Sequence, residues 1–82
     1  MIVVRLFASL RETLGSGEVC LDSADISTVA DVINVLANRG DHWQEALAAK
    51  NLLVAVNQHH VDKSAPVVAG DEVAIFPPVT GG

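Results

Sequence analysis

The chain has 82 residues and a formal net charge of −5, the size of one small domain with an acidic balance that argues against nucleic acid or an anionic membrane as partner, since both require a basic patch. Half of the residues (50%) are hydrophobic, enough for a core, but only 4% are aromatic, so the place of each ring is informative. One cysteine, Cys20, leaves no intramolecular disulfide and no multi-cysteine metal site; with an opening apolar run broken at Arg5, and no stretch near the ~20 apolar residues of a membrane span, the expectation is a reduced, cytoplasmic protein.

Ile2 to Phe7 alternates and is β-branched at its start, so it reads as a strand with Ile2, Val4 and Leu6 on one face and Val3, Arg5 and Phe7 on the other. Ala8 to Leu14 reads as a short helical turn stopped by Gly15 and Gly17. Glu18 to Asp22 reads as a second strand, returning antiparallel to the first, with Val19 and Leu21 on one face. Ser27 or Thr28 caps the next helix, in which Val29, Val32, Ile33, Leu36 and Ala37 keep the i, i+3, i+4, i+7, i+8 spacing of one helical face. Gly40 is placed as its terminator. Asp41 is expected to cap a shorter helix through about Ala49, with Trp43, Ala46 and Leu47 on one side and Trp43 a core or lid residue.

Leu52 to Val56 is a continuous apolar run and predicts a strand buried on both faces. Asn57-Gln58 is the following turn, His60-Val61 a very short strand, Val67-Val68 a return to the core, Gly70-Asp71 a turn and Glu72 to Phe76 the last strand. A long helix covering one face of a mixed sheet gives an α+β domain. With first and last strands side by side in the middle, the order matches the β-grasp, ubiquitin-like fold, of about five strands on one main helix plus short helices.

If Ile2, Val4, Leu6, Val73 and Ile75 face the helix, then Phe7 and Phe76 fall on the opposite parity, on the uncovered face or its rim. Exposed rings on a small acidic domain point to a docking surface; the alternative is that each curls around a strand end into a second cluster. Residues 1–76 read as the domain and 77–82 as a tail. Pro77 and Pro78 cannot continue a ladder, and Gly81 and Gly82 have no Cβ, so Pro77-Pro78-Val79-Thr80-Gly81-Gly82 reads as a spacer and thin end that carries a carboxylate into another protein's pocket. The alternative is a frayed terminus. Ordering such a tail costs about 1–2 kcal/mol per residue in backbone entropy, and two glycines offer little apolar area in return, so the body must supply the binding energy.

Catalytic signatures are absent. Gly15-Ser16-Gly17 is a turn, not a nucleotide motif. His42, His59 and His60 make no metal set, because His59 and His60 point to opposite sides of an extended chain and no third ligand is spaced to join them. Cys20 has no obvious activating neighbour and reads as inert. The reactive group left is the carboxylate of Gly82, which another protein must activate, since nothing here binds ATP.

The ending Gly70-Asp71-Glu72-Val73-Ala74-Ile75-Phe76-Pro77-Pro78-Val79-Thr80-Gly81-Gly82 resembles that of the small, sulfur-carrier subunits of molybdopterin synthase. The opening Val4-Arg5-Leu6-Phe7-Ala8-Ser9-Leu10-Arg11-Glu12, the segment Asp41-His42-Trp43 and the run Leu52-Leu53-Val54-Ala55-Val56-Asn57-Gln58 are similar to that family as well, so the resemblance spans the chain. It implies a non-catalytic subunit that binds no cofactor itself. A ubiquitin-activating-like adenylyltransferase would use ATP to adenylate Gly82, and a sulfur donor protein would convert the adenylate to a thiocarboxylate. The tail would then enter the large catalytic subunit and pass sulfur to a cyclic pyranopterin phosphate, two small and two large subunits forming the complex. Phe7 and Phe76 become the expected docking contacts, joined by His60, which stands where the family often offers an aliphatic contact. The competing expectations are a sulfur carrier for thiamin thiazole synthesis, which tends to be shorter and to lack the double proline, a ubiquitin-like modifier of lysines, and a plain interaction module.

Overall fold

The computed structural model describes residues 1–48 and 51–78. Alternation in the first strand has the expected consequence: β1 (Ile2–Leu6) buries Ile2, Val4 and Leu6 and turns Val3 and Arg5 to the other face. Phe7 is not part of β1 but the N-cap of α1 (Ala8–Leu14), although its N–H still donates to the Ile75 carbonyl at 3.2 Å. Gly15 closes α1 at φ 69°, donating its N–H to the Arg11 carbonyl, in a left-handed conformation that a Cβ would disfavour. β2 (Glu18–Leu21) runs antiparallel to β1 with Val4 opposite Val19 and Arg5 opposite Glu18.

α2 (Val29–Ala37) starts at a full capping box. The Asp31 N–H donates to Thr28 Oγ1 at 3.3 Å, and the Asp31 carboxylate accepts from the N–H groups of Ser27 and Thr28 at 2.9 and 3.1 Å. These bonds hold the Asp31 carboxyl below the usual carboxylate range. Thr28 rather than Ser27 is therefore the cap, and Asp31 is part of it.

Two helix-end expectations are corrected. α2 ends at Asn38, in a right-handed conformation, two residues before Gly40. Gly40 is instead the N-cap of α3 (Asp41–Leu47), and Asp41 is the first helical residue, making no side-chain cap. The junction is too short for separate stop and start signals, so one glycine serves the second helix. Trp43 and Ala46 are half-buried against the core beside buried Leu47, and the Arg39 guanidinium lies 4.9 Å from the centre of the Trp43 ring.

β3 (Leu53–Val56) and β4 (His59–Val61) form a hairpin closed by Asn57 and Gln58 at φ 50° and 71°, the paired positive φ that a two-residue turn demands. The following loop stitches α2 to the sheet. Val29 and Ala30 donate to the carbonyls of Ala65 and Lys63, and Val67 to that of Ser27. Of the expected Val67-Val68 return only Val67 is buried; Val68 is exposed. β5 (Glu72–Phe76) then enters the middle of the sheet, giving the order β2-β1-β5-β3-β4, with β5 parallel to β1 and antiparallel to β3.

This is the β-grasp architecture. Val29, Val32 and Leu36 of α2 pack on Ile2, Val4, Val73 and Ile75, all at 0% exposure. Each such side chain is worth roughly 1.5–3 kcal/mol over leaving it in water. Covering one face so completely leaves the other face of the same strands open. Among the described residues no helix is long and apolar enough to cross a membrane.

Candidate functional site

Register fixes what the open face presents. Arg5 lies across from Glu18 on β2 and Ala74 on β5; Ala74 lies across from Ala55, and Ala55 from His60. One row further toward the end of β5, Phe76 lies across from Leu53, and Phe7 follows β1 on the other side. Period-2 alternation therefore delivers residues from all five strands to one surface.

Toward the start of β5 that surface is polar and internally paired. Arg5 Nε donates to Glu72 Oε2 at 2.7 Å, and Arg5 Nη2 lies 3.7 Å from Glu18 Oε1. The hydrogen bond to Glu72, then its charge and that of Glu18, hold the guanidinium protonated above its ordinary value. Where β5 begins, Asn57 Nδ2 donates to Asp71 at 3.0 Å while Asn57 Oδ1 accepts from the Glu72 N–H at 3.0 Å. Asp71 also accepts the Val68 N–H at 2.9 Å, and these bonds keep its carboxyl below the usual range.

Toward the end of β5 the surface is hydrocarbon. The rings of Phe7 and Phe76 stack with centroids 4.6 Å apart and planes 14° from parallel. The His60 ring is 6.5 Å from that of Phe76 and tilted 40°. A shallow concavity of about 360 Å³ is lined by Ala8, Leu53, His60, Phe76, Pro77 and Pro78. Ala8 reaches it because φ 52° turns the chain sharply between β1 and α1. That conformation disfavours an L-residue by about 1–2 kcal/mol, and it sits beside the candidate site.

The structure thus brings Phe7, Phe76 and His60 together and seats Pro77 and Pro78 beside them. The two rings do gather into one small cluster, as the alternative had it, but that cluster lies on the uncovered face and leaves Phe7 38% exposed. Val79, Thr80, Gly81 and Gly82, including the proposed carrier end, lie outside the described residues. His59 and His60 fall on opposite faces, opposite Val56 and Ala55, and Cys20 is exposed on β2.

Leu53 was missed. The run Leu52 to Val56 reads as buried on both faces, but Leu53 is 40% exposed and opposes Phe76. A continuous apolar run hides which parity is covered. The signal that could have found it was pairing with the last strand, which puts Leu53 on the parity of Phe76.

The family model described as the ThiS family matches residues 4–82. The chain is 44% identical to the molybdopterin synthase sulfur carrier subunit of Haemophilus influenzae and 45% identical to that of Escherichia coli, over 82 residues and the whole of both chains in each case. In structure it is similar to SAMP1 from Haloferax volcanii, with a TM-score of 0.81 and 31% identity over 99% of this chain and 98% of that one.

Proposed function

This chain belongs to the ThiS family, and on that premise we propose that it is the sulfur-carrier subunit of molybdopterin synthase, a non-catalytic cytoplasmic protein whose Gly82 carboxylate delivers sulfur to a large catalytic subunit. The observation that carries the reading is the placing of an exposed apolar concavity where the chain leaves the sheet, with Pro77 and Pro78 in its wall. Full-length identity of 44–45% to two named sulfur carrier subunits agrees with it.

The chemistry follows from the group to be activated. A carboxylate resists nucleophiles until it gains a leaving group. An adenylyltransferase partner supplies one from ATP, the Gly82 carboxylate attacking the α-phosphate and releasing pyrophosphate. A sulfur donor then displaces AMP and leaves a thiocarboxylate. Inside the large subunit the sulfur attacks a carbon of a cyclic pyranopterin phosphate and displaces an oxygen substituent there, and water then cleaves the bond between that sulfur and the Gly82 carbonyl carbon, returning the carboxylate. The chain's own part is binding and presentation. The stacked phenylalanines, Leu53 and the concavity supply apolar area, which offsets the ordering cost of the tail, and the absence of a Cβ at Gly81 and Gly82 lets the end pass a narrow channel.

The experiment is the intact mass of protein purified from its native host, with fragmentation. The gain expected for one oxygen replaced by sulfur should map to Gly82, not to Met1 or Cys20. Gly82→Ala should slow sulfur transfer by roughly 10- to 100-fold, as a small misplacement of a reacting group does, with an unchanged circular dichroism spectrum. Normal turnover by that variant would overturn the proposal. A second reading, ubiquitin-like modification of lysines, has in its favour 31% identity over 84 residues to small archaeal modifier protein 1 of the same archaeon. Gly82 joined to lysines of captured proteins would establish it.

A further inference from the structure

We propose that docking of this face onto the large catalytic subunit is proton-linked through His60, so that binding weakens in acid. The inference rests on the docking reading above. Among the described residues His60 is the only ionisable side chain in the wall of the concavity; Ala8, Leu53, Phe76, Pro77 and Pro78 supply the rest. It is exposed in the free protein.

Among the described residues the neighbouring charges are committed elsewhere or absent from its surroundings. On β3 and β5 its row holds Ala55 and Ala74, and beyond them Arg5 of β1 is paired to Glu72 and Glu18. Cys20 lies on the far edge strand, opposite Val3. Along its own strand, His59 belongs to the other face, and Asp62 accepts the N–H and hydroxyl of Ser64. Lys63 lines a separate depression with Leu52, Val54 and Val61. From α1 only Ala8 reaches the concavity. Among the described residues none forms an ion pair with His60.

The occupant follows from reach. Gly82 is four residues past Pro78, and four residues span at most about 14 Å even when fully extended. A subunit that takes Gly82 into its active site must therefore press against the wall that Pro77 and Pro78 help to form. Closing that wall removes His60 from water among hydrocarbon. A neutral imidazole is tolerated there; an imidazolium without a counter-charge is costly. The free protein can take up a proton that the docked protein rejects, so acid favours the free state.

The test is the Kd of the full chain for the molybdopterin synthase large subunit by calorimetry at pH 7.5, 6.5 and 5.5, beside His60→Leu. Wild type should weaken about tenfold between pH 7.5 and 5.5, more steeply than His60→Leu, which keeps an apolar group at the same place. Superimposable pH profiles for the two proteins would overturn the proposal. So would tighter wild-type binding in acid, which would mean that a carboxylate of the large subunit faces His60. Absence of binding by either protein at any pH would instead overturn the docking reading, and this inference with it.

Discussion

The two ends of the uncovered face are made by the same strands and satisfy opposite conditions. At the start of β5, each polar group has found another: Arg5 holds Glu72 and Glu18, and Asn57 and Asp71 close a set of hydrogen bonds onto the backbone. At its end, among the described residues, Phe7 and Leu53 remain exposed and Phe76 half-buried, a hydrocarbon patch open to water. The first end is complete as it stands and holds register. The second is left incomplete at the point where the chain departs, which is where a partner taking the tail must sit. A domain of this size has little stability to spare, so exposed rings make sense as stored binding energy rather than as packing.

The sharpest way to break the comparison lies within one strand. Ile75 and Phe76 are neighbours on β5, but Ile75 is fully buried under α2 while Phe76 belongs to the open face. Ile75→Ala should cost about 2–5 kcal/mol of folding stability, the range for emptying a buried aliphatic site, read from urea or thermal unfolding. A loss under 1 kcal/mol would mean that the core does not depend on this strand. Phe76→Ala should act the other way round. It should weaken binding to the large subunit by roughly 1–3 kcal/mol, as for a moderate to strong interface anchor. Its stability cost should stay near the 0.5–1.5 kcal/mol of an aromatic pair, here the stack on Phe7. Unchanged affinity by calorimetry would remove Phe76 from the interface.

The same contrast explains what could be read from the residues alone. Strand parity was legible in β1 and β5 because apolar and other residues alternate there, and α2 was legible because Val29, Val32, Ile33 and Leu36 share one helical face. From these the shared parity of Phe7 and Phe76, on the uncovered face or its rim, followed; that β1 pairs with β5 in parallel and that the two rings stack came only with the structure. Leu53 was not legible, since in an apolar run both parities look alike and only the partner strand decides which is covered. The ends of α2 and α3 were misplaced because Asn38, Gly40 and Asp41 are all acceptable terminal residues, and the choice among them is made by how the two helices pack. The shared surface of Phe7, Phe76 and His60 was thus readable, apart from Leu53 and the turn at Ala8, whereas the proposed carrier end at Gly82 rests on chemistry and family membership.

The polar end offers the smallest effect and the cleanest sign. The Asp71 carboxyl is held below its ordinary value, near 3.8, first by the Val68 N–H and then by Asn57. A depressed native carboxylate adds stability that is present above the unfolded value and is lost as pH falls through the folded one. Asp71→Asn removes that titration while keeping an acceptor at the same place. The stability difference between wild type and Asp71→Asn, from urea midpoints, should therefore be larger at pH 7 than below pH 3.8, because acid takes from the wild type what the variant already lacks. Affinity for the large subunit at pH 7 should not change, since Asp71 lies at the end of the face away from the concavity. An equal difference at both pH values would show that the carboxylate charge does not matter there. A loss of affinity would show that the polar end belongs to the interface as well, and that the two ends divide their work less cleanly than their chemistry.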